Sequence, residues 1–446
     1  LVTETLLTQL TKIVSPEAVT TESPKVDGIQ AGLAVTPDSV AGLAAVIAEL
    51  HAAESPLVLL GGGTMLDVGN PPTAADVAVC TGNLNDVTGY EPADLIITAE
   101  AGVTIAALQH TLAAHDQMLP LEVPCYERAT VGGAIAANAS GPLRFAFGTA
   151  KDLVMGMQFV QGDGTLVKSG GEVVKNVAGF SLHKLQVGAF GTLGAIAAAT
   201  FKVYPLPKAD ETMLFAFESS AAAFAAAYAI RAHDPAAAAV LNEAAQQRLF
   251  GAIHSHSVLI ARFLGVPRAV ERQVREAKHT GSEAGAVSIE VVGETDGKSL
   301  WQQCVDLCWE EAAPEMLFRA SAVPSESHHV YVDVERAAMQ SEAETLLVAD
   351  PLNGLLKCGV RIAPQTGQIS ADENPPDAAL LGLLQRTRAV SQEHGGSLLL
   401  QRGPTAMKSA FDVWGPEPEG LNVMGSLKQI YDPHRILNRG RFVGDI

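Results

Sequence analysis

Residues 129–142 read ATVGGAIAANASGP. Two glycines stand at the opening of a run of small residues that predicts a helix, which Asn138, Ser140 and Gly141 end. Glycine has no Cβ, so a ligand or another chain segment can lie directly against the main chain there. A helix start presents free N–H groups and a partial positive charge, which suits a pyrophosphate. The small residues that follow would let a cofactor rest against the backbone.

Three more glycine segments flank this one. Gly61-Gly62-Gly63-Thr64 follows the apolar run PLVLL (56–60), predicted to be a short buried strand. FGTAKD (147–152) leads into a predicted hairpin over 153–168, with its turn at Gly162-Asp163-Gly164. GAFGTLGAI (188–196) turns from a helix near 180–187 into the strand GAIAAATFKVYP. Successive glycines let N–H groups converge on an anion. No GxGxxG follows the first strand and no Gly-Lys-Ser/Thr follows the glycines, so neither the Rossmann fingerprint nor the P-loop is present. Four such segments, each beside a strand or helix and spread over residues 61–194, imply one extended ligand lined by backbone. A dinucleotide of FAD's length is suitable.

Composition narrows the class. At 446 residues the chain is too long for one ordinary core, and its 48% hydrophobic and 18% charged residues fit a soluble globular protein. The formal charge of −19, with no block of Lys or Arg, argues against a nucleic-acid surface and against an anionic membrane. Five cysteines at 80, 125, 304, 308 and 358 form no disulfide framework, which points to a reducing, cytoplasmic location. Cys304 and Cys308, four apart on a predicted helix, read as two small buried hydrophobes, and no CxxC repeat suggests an iron–sulfur cluster of the chain's own. Residues 1–14 lack a basic region followed by an apolar run, so no signal peptide is expected. The tract 221–241 is Ala-rich and interrupted by Arg231, His233, Asp234 and Pro235, which reads as a helix and turn rather than a membrane span.

The fold class expected is α+β. TPDSVAGLAAVIAEL (36–50) predicts a capped amphipathic helix, with strands at 76–80 and 94–101 and a helix over 104–115. Beyond Lys208, strands such as MLFAFE, SVLIARFLG, VSIEVV, MLFRASAV, LLKCGVRI and SLLLQR alternate with helices, including 267–281, 301–311 and 376–394. This predicts helices on one face of a mostly antiparallel sheet. The expected division is a first domain over 1–207, a second over 208–420, and a segment 421–446 that returns to the first.

GGGTMLDVGN, ATVGGAIAANASGP, FGTAKDLVMGMQFVQGDGTLVKSGG, VVKNVAGFSLHKLQVGAFGTLG and the terminal DPHRILNRGRF resemble, in order and spacing, the motifs of FAD-linked oxidases with a PCMH-type FAD domain, the vanillyl-alcohol-oxidase group. The FAD-domain likeness runs from about residue 24 to 207. Lys175-Asn176-Val177-Ala178-Gly179 and GTLG (191–194) are especially similar to the FAD-binding subunits of glycolate oxidases. The resemblance implies a PCMH-type, two-subdomain FAD domain with an α+β cap or substrate domain. It also implies that Gly61, Gly62, Gly63 and Thr64 hold the pyrophosphate, with Met65 and Leu66 continuing the loop. Pro124, Thr130, Val131, Gly132 and Gly133 would pass along flavin and phosphates, Asn138, Gly141 and Gly148 would complete the wall, and Gly194 and Ile196 would touch the cofactor from the returning strand. Relatives carry Tyr-Asp where this chain has Phe180-Ser181, and Ser-Glu where it has Ala189-Phe190. Loop 61–70 has neither His nor Cys, so non-covalent FAD is expected, with Cys125 the residue to check.

Catalytic signals are sparser. A 2-hydroxy-acid substrate needs a cation for its carboxylate and a base for its hydroxyl proton. D-lactate and D-2-hydroxyglutarate dehydrogenase relatives bind a metal through a His-x-x-His-Gly-Asp-Gly-type stretch that is not found here. His328-His329 are followed by Val-Tyr-Val-Asp, so no metal is expected. Glu393-His394-Gly395 partly resembles the relatives' later Glu-His-Gly, although His394 also reads as a helix cap. Arg402 and Arg361 are candidates for a carboxylate clamp, or else structural arginines. The resemblance implies an FAD subunit that oxidises glycolate or D-lactate beside a second flavin subunit and an iron–sulfur subunit, passing electrons towards quinone. Membrane association would be peripheral, through those partners. A stand-alone dehydrogenase and a non-catalytic electron relay are the alternatives.

Overall fold

The computed structural model describes residues 3–23, 25–171, 180–309, 314–341, 343–361 and 377–446. The run 175–179 quoted above therefore lies outside the described residues, as does the expected start of the helix at 376. The chain forms two compact units: one of residues 1–140, 147–206 and 416–446, the other of 141–146 and 207–415.

The first unit contains two main sheets. In one, Leu33–Val35, Val77–Cys80 and Leu57–Leu60 run parallel, and Val19–Thr20 pairs antiparallel at the edge. The helix Val40–Ala52 starts where the Ser39 side chain accepts from the Gly42 N–H at 3.1 Å. Its residues Leu43, Val46, Ile47 and Leu50 recur at helical spacing and are fully buried against this sheet together with Leu6 and Leu10 of the helix Glu4–Ile13. Each such side chain contributes about 1.5–3 kcal/mol.

The second sheet is antiparallel, in the order Leu166–Gly170, Val154–Val160, Ala195–Lys202, Ile96–Glu100, Val87–Glu91. Residues 416–446 belong to this unit as well. After the helix Leu421–Tyr431, the buried Asp432 carboxylate accepts from Lys428 Nζ at 2.7 Å and from the N–H groups of Ile436 and Leu437 at 3.0 and 2.9 Å. Lys428 donates further to the carbonyls of Thr192 and Leu437. With both charges almost fully enclosed, this knot sets the tail so that Leu437 pairs with Leu57.

The second unit is built on one eight-stranded sheet in the order Ser288–Val292, Ala209–Phe217, Ser257–Gly265, Ala237–Leu241, Glu344–Asp350, Leu355–Arg361, Met316–Ser321, Leu398–Arg402, all pairs antiparallel. Alternate residues such as Met213, Phe215, Phe318, Cys358 and Leu400 form its main core with the helices Ser220–Ile230, Pro267–Glu283, Ser327–Gln340 and Ala378–Glu393. One expectation changes: the helices are not confined to a single face. Glu294–Asp306, which starts earlier than the expected 301, packs on the opposite face, where Trp301 Nε1 donates to Thr212 Oγ1 at 3.0 Å. Thr212 alternates with the core residue Met213, and a Cβ at Gly297 would come within 2.8 Å of its hydroxyl, so only glycine permits this approach without a shift. Among the described residues no helix is long and apolar enough to cross a membrane.

Candidate functional site

In the first unit, the strand Leu57–Leu60 delivers the chain into Gly61-Gly62-Gly63, and this loop borders a partly open cavity. Its walls come from five separated stretches: 59–66, Thr81, 130–137, 190–196 and the tail residues Asn438 and Arg441. Gly61, Gly62, Gly63, Thr64, Met65, Leu66, Thr130, Gly132, Gly133, Gly194 and Ile196 all line it. Pro124, Val131, Asn138, Gly141 and Gly148 do not.

The glycines are there because segments touch. A Cβ on Gly62 would stand 1.7 Å from the Arg128 carbonyl oxygen, and one on Gly61 would stand 2.2 Å from Thr130 Oγ1. Thr130 caps the helix Val131–Ala136 by accepting from the Gly133 N–H at 3.3 Å. That helix is only six residues long, so its dipole is small, and close approach rather than helix length makes the site. Gly132 sits where a Cβ would press within 2.8 Å of Ala101, bringing the helix onto the second sheet.

The residues outside the lining have visible structural work. Val131 is fully buried in the core. Gly148, at φ 84°, lies over Asp152, whose carboxylate closes a capping box with Thr149. Pro124 is buried ahead of Cys125, which is half-buried at φ 54° and is not part of the lining. Gly141 falls with the second unit.

Asn138 Oδ1 is buried with no hydrogen-bond partner among the described residues, and so are both polar side-chain atoms of Gln186. A buried polar atom left unpaired costs about 1–3 kcal/mol. Gln186 Oε1 lies 3.2 Å from where a Gly194 Cβ would be, and Asn138 Cβ lies at the same distance from that position on Gly188. A main-chain cradle with unspent polar groups beside it fits a long ligand carrying many acceptors and donors, as FAD does.

Three contributors were not singled out in the sequence. Asn438 Oδ1 accepts from the Leu59 N–H at 2.8 Å and its amide donates to the Phe190 carbonyl, tying two cavity walls together. Arg441 donates to the carbonyls of Leu66 and Val68. Both lie in DPHRILNRGRF, so the motif was visible while its lining residues were not. Gln186 carries no local signal at all.

The second unit places Arg319, Lys357 and Asp350 on the sheet face opposite its main core, since each alternates with core residues on its strand. Arg319 and Lys357 are cross-strand partners. Lys357 Nζ donates to the Val305 carbonyl at 2.9 Å, and Arg402 donates to that of Cys308 at 3.3 Å while stacking over Trp309 at 5.0 Å. These two cations thus satisfy carbonyls in and just beyond the last turn of the helix Glu294–Asp306. Arg319 makes no hydrogen bond or ion pair among the described residues. Burial lowers its pKa and that of Lys357, with the Arg144 charge adding to the effect at Arg319. Burial raises the Asp350 carboxyl to about 6, against the opposing pull of Asn353 and Arg144. Arg361 and Arg402 stand at the same end of the sheet, beside Met316 and Leu317. His394 lies at the other end, so the three candidate catalytic residues are not assembled into one site.

Comparison with known proteins agrees with this architecture. The family described as FAD binding domain matches residues 31–170, and the family described as FAD linked oxidases, C-terminal domain, matches residues 206–442. Glycolate oxidase subunit GlcE of Escherichia coli (strain K12) is 39% identical over 160 residues, which is 35% of this chain and 45% of that subunit, so the chain matches under half of that relative's length. D-2-hydroxyglutarate dehydrogenase of Xanthomonas citri pv. viticola is 27% identical over 91% of this chain and 88% of its own, and glycolate oxidase subunit GlcD of Bacillus subtilis is 24% identical over 86% and 83%. Among solved structures, p-cresol methylhydroxylase superposes with a TM-score of 0.76 at 15% identity, covering 99% of this chain and 97% of that one. Alkyldihydroxyacetonephosphate synthase does so with 0.73 at 16%, covering 98% and 85%. Both share the fold of a PCMH-type flavoprotein. With a family match over more than half of its length and a main-chain cavity suited to the cofactor, the chain belongs to the FAD-linked oxidases and is an FAD-dependent oxidoreductase.

Proposed function

We propose that this chain is the FAD-binding subunit of a glycolate-oxidase-like complex that dehydrogenates a small 2-hydroxy acid. The observation that carries the reading is the glycine-lined cavity of the first unit, with unpaired Asn138 and Gln186 side-chain atoms in the same unit. Gly61 to Leu66, Thr130, Gly132, Gly133, Gly194 and Ile196 hold FAD without a covalent bond, and Asn138 and Gln186 supply the polar contacts their unpaired atoms leave open. When bound, FAD would supply the two-electron redox chemistry for oxidation of the substrate alcohol.

The chain's own residues then have three tasks. Arg319 anchors the substrate carboxylate, because its fork of donors is not spent within the described protein. Lys357, held to the Val305 carbonyl, adds positive charge on the same face. Asp350 accepts the hydroxyl proton, since a carboxyl that titrates near 6 is ionised at neutral pH and is a better base than an ordinary aspartate. Arg361 and Arg402 sit at the end of this face and shape its field.

The likeness to GlcE and GlcD supports a complex with a second flavin subunit and an iron–sulfur subunit, through which electrons reach quinone. We place that complex in the cytoplasm, with any membrane association peripheral. A stand-alone 2-hydroxy-acid dehydrogenase is the second reading, favoured by the alignment to D-2-hydroxyglutarate dehydrogenase along nearly the whole chain. The test is anaerobic mixing of the FAD-loaded chain with glycolate, D-lactate or D-2-hydroxyglutarate, alone and with subunits that co-purify from its host. Bleaching of the flavin band only with partners supports the complex, and bleaching by the chain alone supports the second reading. A flavin that none of these acids reduces under either condition removes the substrate class.

A further inference from the structure

We propose that Glu326, His329 and His394 form a binding site for a divalent transition metal in the second unit. His329 Nδ1 and His394 Nδ1 stand 3.1 and 3.3 Å from the same carboxylate oxygen, Glu326 Oε2. One ligand atom from each residue lies within 4.8 Å of the others. Zinc holds imidazole nitrogen and carboxylate oxygen at roughly 2.0–2.2 Å, so tetrahedral neighbours are about 3.4 Å apart. The two distances to the Glu326 oxygen are therefore those of a coordination shell, and two imidazoles with one carboxylate suit zinc, nickel or copper better than calcium or magnesium.

The backbone around the set is held in place from several directions. Gly395, at φ 74°, ends the helix Ala378–Glu393, and a Cβ on Gly396 would stand 1.9 Å from the Ser321 carbonyl oxygen. The Val323 N–H donates to the His394 carbonyl at 3.0 Å, joining that helix end to the turn that carries Glu326. Tyr228 fixes the same turn, donating to the Pro324 carbonyl at 2.6 Å and meeting Ser327 Oγ at 3.1 Å. The His329 and His394 rings stack 4.9 Å apart at 12°. His394 thus directs its imidazole to Glu326 rather than to its own helix, which is unlike a simple cap. His328 turns away, to Ser220. The site is at the opposite end of the sheet strands from Arg361 and Arg402, about 15 Å along a strand of this length. None of its three residues has a part in the proposed reaction. A metal there would staple the end of one helix to the start of another.

Zn²⁺ titrated into the FAD-loaded full chain, followed by calorimetry and thermal unfolding, tests this. One ion per chain is expected at this site, bound at least tenfold more weakly by His329→Ala, His394→Ala and Glu326→Gln. Zn²⁺ should raise the unfolding temperature of the parent and not that of the His329→Ala/His394→Ala double variant. Co²⁺ should give ligand-field bands to the red of the flavin absorption, absent in the double variant. His279→Ala, at an exposed histidine elsewhere, should leave all readings unchanged. His329 is exposed, so its variant keeps the fold and remains informative. Zn²⁺ uptake and stabilisation identical in parent and double variant, or no uptake by the parent, would overturn the assignment.

Discussion

The two units make their sites from different material. The cavity of the first is lined by many glycines and alanines whose main chain is exposed to it, with larger side chains such as Met65, Phe190 and Arg441 between them. The cationic face of the second is made by side chains, with the main chain serving only to set the register. The contrast matters for how each site responds to change. A backbone cavity fails when atoms are added, whereas a side-chain site fails when atoms are removed.

The largest effect should follow from loosening what closes the first unit. Asp432→Ala leaves Lys428 charged and enclosed without its partner, and breaking such a pair costs about 3–5 kcal/mol. Denaturant unfolding should show that loss, and the purified variant should have lost bound flavin. Gly62→Ala comes next: its new methyl meets the Arg128 carbonyl, so FAD affinity should fall on the order of 100-fold for about 3 kcal/mol of overpacking. Flavin-to-protein ratio after gel filtration reads this directly, and an undiminished ratio would break the contrast drawn above.

Arg319→Ala should behave in the opposite way. Flavin content stays at the parent level while KM for the hydroxy acid rises about 10- to 100-fold, the equivalent of one charged hydrogen-bonded contact of roughly 1.5–3 kcal/mol. Unchanged steady-state kinetics would remove Arg319 from the substrate site.

Asp350→Asn has the smallest effect on stability and is read through pH. Because burial holds the carboxyl at about 6, above its ordinary 3.8, the folded chain takes up this proton before the unfolded chain as pH falls. The associated stabilisation is complete below about pH 4 and is lost as pH rises through 6. The difference in unfolding free energy between parent and Asn variant should therefore change across that window and flatten above it. The parent's kcat/KM should fall below pH 6, and the variant should lose that limb along with most activity.

Legibility in the sequence follows the same division. SVLIARFLG is a strand over Ser257–Gly265 as expected, because an apolar β-rich run follows the polar His254-Ser255-His256 and ends at Gly265, two residues before Pro267. The glycine segments of the first unit announced the cavity, since a missing Cβ is a local and visible property. AAAVL, by contrast, was read as part of an alanine-rich helix and turn, and it is the strand Ala237–Leu241. Alanine favours helix locally, but pairing on both sides with Ser257–Gly265 and Glu344–Asp350 outweighs that preference. The strand Glu344–Asp350 and the helix Ser327–Gln340 were likewise missed. So was Arg319, one cation in an otherwise apolar strand. Its significance depends on lying beside Lys357, and that neighbour is 38 residues away. Register across a sheet is not a local property of either strand. His394 was selected for a tripeptide likeness, and the geometry instead joins it to Glu326 and His329.

The tail's place in the cavity wall bears on how the protein is made. Ile196 and the glycines before it leave the ribosome well ahead of Asn438 and Arg441, which line the same space. At roughly 5–20 residues per second, some 245 residues of intervening synthesis take about 10–50 s. Throughout that interval the nascent first unit lacks one wall of its pocket, so the complete flavin site forms only once Asn438 and Arg441 have been made.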